Sequence, residues 1–145
     1  MLRIRNLLEQ QRRLREHIRQ ELSSGFSPEP DAPVLSQDPF LTRTYQLIDD
    51  HLDDPLFGVE ELVLKMEMSR TSLHRKIKTI SDMSTSELIR NYRLKRAAIF
   101  LRQGHTSTDT AYLSGFGSPA YFTKCFREVY GMTPGEFIRQ GQNVN

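Results

Sequence analysis

The sequence predicts an all-α protein, and three observations along its 145 residues support that class. From residue 39 onward, apolar residues recur every three or four positions, the spacing that gives a helix one apolar face. No stretch shows the strict apolar–polar alternation that is typical of a half-buried strand. Short polar residues that can cap helix starts alternate with glycine and proline stops. We therefore expect seven helices in residues 39–140, preceded by a separate N-terminal helix.

The composition excludes a membrane span and a cysteine-based site. The longest purely apolar run covers residues 97–101 (AAIFL), far short of the roughly 18 residues that a spanning helix needs. The single cysteine, Cys125, can form neither an internal disulfide nor a cysteine-based metal cluster. No apolar signal core follows Met1. These features predict a cytoplasmic protein, and we expect residues 1–145 to make no contact with a membrane.

The charges are distributed unevenly along the chain. Residues 1–24 carry six Arg against three Glu, a net charge of +3, and residues 25–58 carry one Arg against seven acids, a net charge of −6. Residues 59–145 carry thirteen Lys and Arg against eight acids, a net charge of +5. A basic C-terminal region favours a polyanionic partner, although a charged face is often only a solvated one.

The first 22 residues predict an amphipathic helix. They contain strong helix formers and no Gly or Pro within residues 2–22. Two interpretations stay open, a short parallel coiled coil that forms a homodimer and a helix that is part of a larger protein. The apolar stripe, with one polar position, consists of Ile4, Leu7, Leu8, Gln11, Leu14, Ile18 and Leu22. Residues 23–38 hold three prolines, a glycine and four serines, which predict a flexible linker.

The first predicted helix of the C-terminal region begins at Asp38-Pro39, a good N-cap and first-turn pair. Residues 53–55 (DDP) stop it. Its buried stripe is Leu41, Tyr45, Ile48 and Leu52. A second helix follows at residues 59–66, with Leu62, Val63 and Met66 on one side.

A helix-turn-helix unit is predicted at residues 59–78. The second helix ends near Met66, residues 67–68 form a tight turn, and Ser69 caps the third helix. Leu73, Ile77 and Ile80 of this third helix face inward. Arg70, Thr71, His74, Arg75 and Lys78 share the opposite face, where polar tips suit base edges and cations suit phosphates.

A long fourth helix is predicted, with Ser84 as its cap, and it runs to about Arg102, where Gly104 ends it. At 1.5 Å per residue it is about 28 Å long, comparable with the roughly 34 Å between successive major grooves on one face of DNA. A rigid helix of this length could hold two recognition helices in adjacent grooves. Its buried stripe is Leu88, Tyr92, Ala97 or Ala98, and Leu101.

The same arrangement recurs at residues 106–127. The fifth helix covers residues 106–113, and the turn SGFG (residues 114–117) leads to a sixth helix over residues 119–130, in which Ser118 caps and Pro119 takes the first position. Gly115 gives the turn its backbone freedom. Phe116, Phe122 and Phe126 are assigned to the core, and Ala120, Thr123, Lys124 and Arg127 to the surface. A seventh helix is expected at residues 134–139.

These motifs resemble the DNA-binding domain of AraC-type transcriptional regulators. The residues that carry the resemblance are MSRTSLHRKIK (68–78), RNYRLKRAAIFL (90–101) and the pattern A-x3-GF-x4-YF-x3-F-x4-G-x-TP-x2-F between Ala111 and Phe137. The resemblance covers about 100 residues, 39–139. It implies sequence-specific binding of double-stranded DNA by two helix-turn-helix units joined by the long central helix.

The resemblance also implies which residues touch DNA. The base-contacting positions would be Thr71, His74, Arg75, Ala120, Thr123 and Lys124. The phosphate-contacting positions would be Ser69, Arg70, Lys78, Ser118 and Arg127. The N-terminal segment is similar to the helix that follows a receiver domain in large hybrid two-component regulators. That similarity implies an upstream receiver domain that is missing from this chain.

The chain departs from the family pattern at four positions. The family usually has an aliphatic residue where Ser107 and Thr110 stand, alanine at Val63 and glycine at Asp82. We expect position 110 to face the core, where its hydroxyl would weaken the second unit. Thr110→Ile should then raise stability by about 1 kcal/mol.

Enzymatic and metal-binding alternatives have little support in the residues. Cys125, on a helix flank, has no Cys-His-Asn constellation around it. The four histidines (His17, His51, His74 and His105) lack metal-ligand spacing. The acids at 49, 50, 53 and 54 lack the glycine and the glutamate of a calcium loop and are interpreted as a solvated helix end. We therefore expect no catalytic site, metal or cofactor. The alternative function is a protein-interaction module of the same fold, which Ser107, Thr110 and the acidic segment 25–58 would favour.

Overall fold

The computed structural model describes residues 38–143, in which the chain forms seven α-helices and no strand. In chain order the helices are α1 (Pro39–Asp50), α2 (Val59–Met66), α3 (Arg70–Ser81), α4 (Thr85–Arg102), α5 (Ser107–Leu113), α6 (Pro119–Tyr130) and α7 (Pro134–Asn143). The all-α prediction and the number of helices after residue 38 are confirmed. The predicted helix over residues 1–22 and almost all of the linker over residues 23–38 lie outside the described residues.

Side-chain caps fix the starts of six helices. In each case one short side chain accepts a hydrogen bond from a backbone amide of the first turn, which otherwise has no partner. The capping residues are Asp38, Ser69, Ser84, Thr106, Ser118 and Thr133, with donor–acceptor distances of 2.8–3.3 Å. Four of these caps were predicted. Thr106 had been placed inside α5 rather than at its cap, and Thr133, which caps α7, was not predicted.

Two helix ends differ from the prediction. α1 ends at Asp50, before the DDP stop, although Leu52 beyond it is still buried. The predicted end of the last helix at Arg139 is wrong, because α7 continues to Asn143. Gly141 is not among the glycines that adopt a positive φ angle, so it stays in the helix instead of ending it.

The core consists of two hydrophobic clusters, one for each half of the domain. The first cluster packs α1, α2 and α3 against the N-terminal half of α4, around Leu41, Leu62, Leu73 and Leu88. The second packs α5, α6 and α7 against the C-terminal half of α4, around Leu94, Ala111 and Phe126. Each helix-turn-helix unit therefore has its own core, and the two cores share one helix.

The central helix α4 is buried on nearly all sides. Twelve of its 18 residues are buried, which is the expected consequence of packing against two units at once. The predicted stripe of Leu88, Tyr92, Ala97, Ala98 and Leu101 is confirmed as buried. At 1.5 Å per residue, the helix is about 27 Å long. No helix in residues 38–143 is long and apolar enough to cross a membrane.

Candidate nucleic-acid interface

The exposed face of α3 brings together the predicted residues of the first unit. Glu67 takes a left-handed conformation with φ of 56° and ends α2, and Ser69 then caps α3. Leu73 and Ile77 are fully buried against the first core. The predicted residues Arg70, Thr71, His74, Arg75 and Lys78 are all exposed on the other side. The helix therefore divides into a core face and a polar, cationic face, as predicted.

This face forms one wall of an open groove of about 580 Å³, and the start of α4 forms the other wall. All five predicted side chains of α3 line the groove, together with Ser84, Thr85 and Ser86. The Nδ1 atom of His74 lies 3.4 Å from the hydroxyl oxygen of the buried Thr85. This contact links the exposed imidazole to the start of α4, across the groove that both residues line.

The cations of α3 are held only weakly by acids of the same unit. Arg70 lies 3.7 Å from Glu60, and Lys78 lies 3.8 Å from Asp82, with all four side chains at least half exposed. Exposed pairs of this kind contribute little free energy, so an incoming phosphate can displace the acids. Within residues 38–143 the guanidinium of Arg75 makes no ion pair.

The corresponding face of α6 is smaller and less basic. Ala120, Lys124 and Arg127 are exposed, and Thr123 is half-buried with its hydroxyl donating to the Pro119 carbonyl oxygen at 2.9 Å. The four side chains line a shallow surface together with the acid Glu128, which was not among the predicted site residues. Ser118 is the helix cap, so its oxygen is already occupied by the Tyr121 amide.

The aromatic residues around α6 are structural. Phe116 fills the gap between α5 and α6, with its ring centroid 5.2 Å from that of Phe122. Phe122 in turn packs edge-on against Phe126 at 5.6 Å. All three rings are buried, which confirms their assignment to the core.

Gly115, in the turn between α5 and α6, is required for two reasons. Its φ angle of 80° lies in the left-handed region, where a side chain is strained. A Cβ atom at this position would also overlap the Arg93 Nη1 atom and the Leu52 carbonyl oxygen. The predicted need for backbone freedom is confirmed, and the close approach of Arg93 adds a second constraint.

Arg93 is the residue that sequence reasoning missed. Its side chain is 5% exposed and donates hydrogen bonds to four backbone carbonyl oxygens: those of Leu52, Asp54, Phe57 and Ser114. The first three belong to the segment between α1 and α2, and the fourth ends α5. Burial lowers the pKa of this guanidinium, while the nearby acids Asp54 and Asp53 oppose that shift.

A second polar contact corrects the interpretation of the acids near residue 50 as a solvated helix end. Asp49 accepts a hydrogen bond from the Tyr92 hydroxyl at 2.9 Å, and its carboxylate lies 3.2 Å from the Arg96 Nε atom. Tyr92 also stacks on Tyr45, with centroids 5.2 Å apart. Burial, followed by the Asp49 charge, raises the pKa of Tyr92. Asp49 therefore ties α1 to α4 instead of remaining free in solvent.

The four departures from the family pattern have clear structural positions. Thr110 is fully buried, as predicted, and its hydroxyl has no hydrogen-bond partner among the described residues. Asp82 ends α3 with φ of 60°, a left-handed conformation that explains why a glycine would suit the position. Ser107 and Val63 are half-buried.

Cys125 and His51, which were considered for catalysis and metal binding, instead pack within the fold. Cys125, placed on a helix flank by the sequence, is buried, and a hydrogen bond to it is the main cause of the raised pKa of Tyr121. The His51 ring stacks on Phe57 at 4.5 Å. Among residues 38–143, no group of three or more His, Cys, Asp or Glu side chains is placed to hold a metal ion.

Comparison with known proteins gives matches to a helix-turn-helix domain family, to a histidine kinase and to transcriptional regulators. The model of a helix-turn-helix domain family matches residues 62–140. The chain is 31% identical over 139 residues to histidine kinase P4 of Formosa agariphila, covering 94% of this chain and 10% of that protein. It is 33% identical over 105 residues to the transcriptional regulator GbdR of Pseudomonas aeruginosa, covering 72% of this chain and 28% of that protein.

A solved structure agrees with these matches. A DNA-binding transcriptional dual regulator from Escherichia coli K-12 superimposes with a TM-score of 0.66 at 25% identity, covering 75% of this chain and 98% of that chain. The chain thus matches nearly the whole of that structure, whereas it spans only about a tenth and 28% of the two curated relatives.

Proposed function

This chain belongs to the helix-turn-helix domain family, in its AraC type, and we propose that residues 39–140 bind double-stranded DNA sequence-specifically as the output domain of a transcription regulator. The observation that carries the proposal is the pair of exposed, cation-bearing helices, α3 and α6, each the second helix of its unit. Both are fixed to one buried helix, α4. The function is binding, and no catalytic step is assigned to these residues.

In the first unit, base and phosphate contacts divide along α3. Thr71, His74 and Arg75 occupy successive turns of the exposed face, where hydroxyl, imidazole and guanidinium groups can meet base edges in the major groove. Ser69 and Arg70 at the start of the helix and Lys78 near its end would contact the phosphates on either side, which position the helix. The weak ion pairs of Arg70 and Lys78 leave both cations available.

In the second unit, Lys124 is the main candidate for base contact. Ala120 offers only a methyl group, which suits the methyl of thymine, and the Thr123 hydroxyl already donates within its own helix. Ser118 and Arg127 would contact phosphates. Because Glu128 lies on the same surface, we expect this unit to contribute less affinity than the first.

The length of α4 supports binding in two adjacent major-groove segments. Its 18 residues give about 27 Å, against roughly 34 Å between successive grooves on one face. The target would then be an asymmetric site of about two helical turns. Several Lys and Arg side chains would displace counterions from DNA, so affinity should fall steeply with salt.

Residues 1–38 have a separate proposed role. Histidine kinase P4 matches 94% of this chain over 139 residues, a range that must include part of this N-terminal region. The match supports our proposal that the domain is the output end of a hybrid two-component regulator with an upstream receiver domain. Residues 2–22 would pair two copies as a homodimer, which raises the effective concentration of the second domain on DNA. A cytoplasmic location follows from this role.

The test is a binding selection from random double-stranded DNA, with the selected site titrated by fluorescence anisotropy at two salt concentrations. We expect one recurring motif of about two helical turns. Arg75→Ala should weaken binding tenfold to a hundredfold and relax the sequence preference at its own position only. Lys78→Ala should weaken all sequences equally and reduce the salt slope by about one.

The control is Arg43→Ala, which removes an exposed cation on α1 that lines neither recognition face. This variant should bind as the wild-type domain does. Recovery of no motif, with weak binding that ignores sequence, would contradict the proposal and favour a protein-interaction module.

A further inference from the structure

We propose that Arg93 is a positioning residue that fixes the spacing of the two recognition helices, so that the domain accepts only one distance between its two DNA segments. This inference rests on the proposed function, because it concerns how that function is restricted. It assigns a role in DNA selection to a side chain that is buried and touches no exposed face of α3 or α6.

The geometry of the guanidinium carries the inference. Its Nη1 atom donates to the Leu52 carbonyl oxygen and, at 3.0 Å, to the Ser114 carbonyl oxygen. Its Nη2 atom donates to the carbonyl oxygens of Asp54 at 3.0 Å and Phe57 at 2.8 Å. One rigid planar group therefore satisfies three carbonyls of the α1–α2 segment and one carbonyl at the end of α5.

These hydrogen bonds connect the two units at a point where the two hydrophobic cores do not contact each other. The first core belongs to α1, α2, α3 and the start of α4, and the second to the end of α4 and α5, α6 and α7. Apart from the shared helix, each core could shift against the other. Arg93 links the loop that precedes α2 directly to the end of α5. In the first unit α2 packs against the recognition helix α3, and in the second unit the turn after Ser114 leads into the recognition helix α6.

The turn between α5 and α6 is built around this contact. A Cβ at Gly115 would overlap both Arg93 and the Leu52 carbonyl oxygen. Because glycine has no Cβ, the backbone of the second unit lies directly against the Arg93 guanidinium. Gly117, two residues further, also lies close to the α1–α2 segment, since a Cβ there would be in tight contact with the Pro55 Cβ at 3.2 Å. The α1–α2 segment and the turn before α6 thus fit together closely, with the guanidinium between them.

A lysine cannot reproduce this arrangement. Its ammonium is a point donor with three hydrogens and cannot reach four carbonyls that are arranged around a planar fork. Arg93→Lys keeps the charge and the aliphatic stem but should loosen the link. Arg93→Met removes the charge and all four hydrogen bonds and should loosen it further.

The experiment measures binding to a series of sites in which the stretch between the two recognised segments is changed by one base pair. Each change moves one segment by about 3.4 Å and rotates it by about 35°. The wild-type domain should lose at least tenfold in affinity for a change in either direction. Arg93→Lys should bind the original site more weakly than wild type but lose less than threefold on the altered sites.

The matched control is Phe137→Leu, which alters the second core and leaves Arg93 and its four carbonyl partners unchanged. It should lower thermal stability yet keep the steep spacing dependence, because a structural defect alone does not change which spacing fits. Circular dichroism establishes which Arg93 variants are folded. The spacing dependence of Arg93→Met is compared with that of wild type only if this variant is folded.

The outcomes separate this inference from the proposed function. Absence of any selected motif would contradict the proposed function itself. A selected two-segment motif whose spacing the wild-type domain tolerates would overturn only the inference, whether or not the variants fold. A folded Arg93→Lys domain with wild-type spacing dependence would overturn it as well.

Discussion

Replacing Thr110 with valine should stabilise the domain, and the reason lies in one buried hydroxyl. Thr110 is fully buried in α5, and its Oγ1 atom has no hydrogen-bond partner among residues 38–143. An unsatisfied buried hydroxyl costs about 1–3 kcal/mol. Threonine and valine have similar shapes and similar helix propensities, so Thr110→Val removes this cost without a new cavity or overpacking.

We expect Thr110→Val to raise the free energy of unfolding by about 1–2 kcal/mol, toward the lower part of that range because neighbours relax around a polar group. For a domain of this size, each kcal/mol shifts Tm by roughly 4–8 °C. The longer Thr110→Ile adds a methylene worth about 0.8 kcal/mol, but overpacking can cost more than that gain. Thr110→Val is therefore a cleaner test than Thr110→Ile of the expectation that the buried hydroxyl at position 110 weakens the second unit.

Thr44 in α1 provides the matched control. It is also fully buried, but its hydroxyl donates to the Phe40 carbonyl oxygen at 2.8 Å. Thr44→Val deletes a hydrogen bond that is made, so it should be neutral or cost up to about 1.5 kcal/mol. Urea unfolding of the two variants and wild type, followed by circular dichroism, gives the comparison. Equal or lower stability for Thr110→Val would refute the reasoning.

Three further predictions concern other contacts. Tyr92→Phe removes the hydroxyl bound to Asp49 and should cost about 1 kcal/mol at neutral pH. Because the pKa of Tyr92 is raised above its ordinary value of 10.0, the folded state retains this proton above pH 10 while the unfolded chain loses it. The advantage of wild type over Tyr92→Phe in urea unfolding should therefore shrink above pH 10, and a constant difference would contradict it. Thr106→Ala removes the cap of α5 and should lower stability by about 1 kcal/mol, with Thr106→Ser near wild type as control; equal melting of all three would contradict that role. Leu14→Lys should dissociate the proposed dimer in sedimentation, and dimers that persist would rule out that seam.

The sequence predicted the helices well because the local signals were strong. Short polar caps at Ser69, Ser84 and Ser118 mark helix starts, and these caps act through the nearest backbone amides. The apolar stripe of α1 gave the same answer as its cap, so the two signals reinforced each other. The end of α7 was misplaced at Arg139 because Gly141, two residues further on, does not adopt the positive φ angle of a helix-ending glycine such as Gly104.

The core face and the exposed face of each recognition helix also followed from periodicity. Burial of Leu73 and Ile77 leaves the opposite residues in solvent, whatever the rest of the fold does. Which exposed residues touch bases and which touch phosphates does not follow from periodicity, because DNA position decides it. Those assignments stay predictions.

Long-range polar contacts were outside the reach of sequence patterns. Arg93 lies on α4 between Arg90 and Arg96, and helical spacing alone does not single it out. Its four carbonyl partners come from positions 21 to 41 residues away, a convergence that only the packed fold creates. Asp49 was misassigned for the same reason, since Tyr92 is 43 residues distant.

The central claim is that α3 and α6 occupy two separate major-groove segments, and missing-base interference on the selected DNA site tests it most directly. We predict two groups of required bases, centred about one helical turn apart on the same face. Arg75→Ala should abolish the requirement at bases in one group only, and Lys124→Ala at bases in the other. A single group of required bases, or loss of both groups from either substitution, would contradict the account.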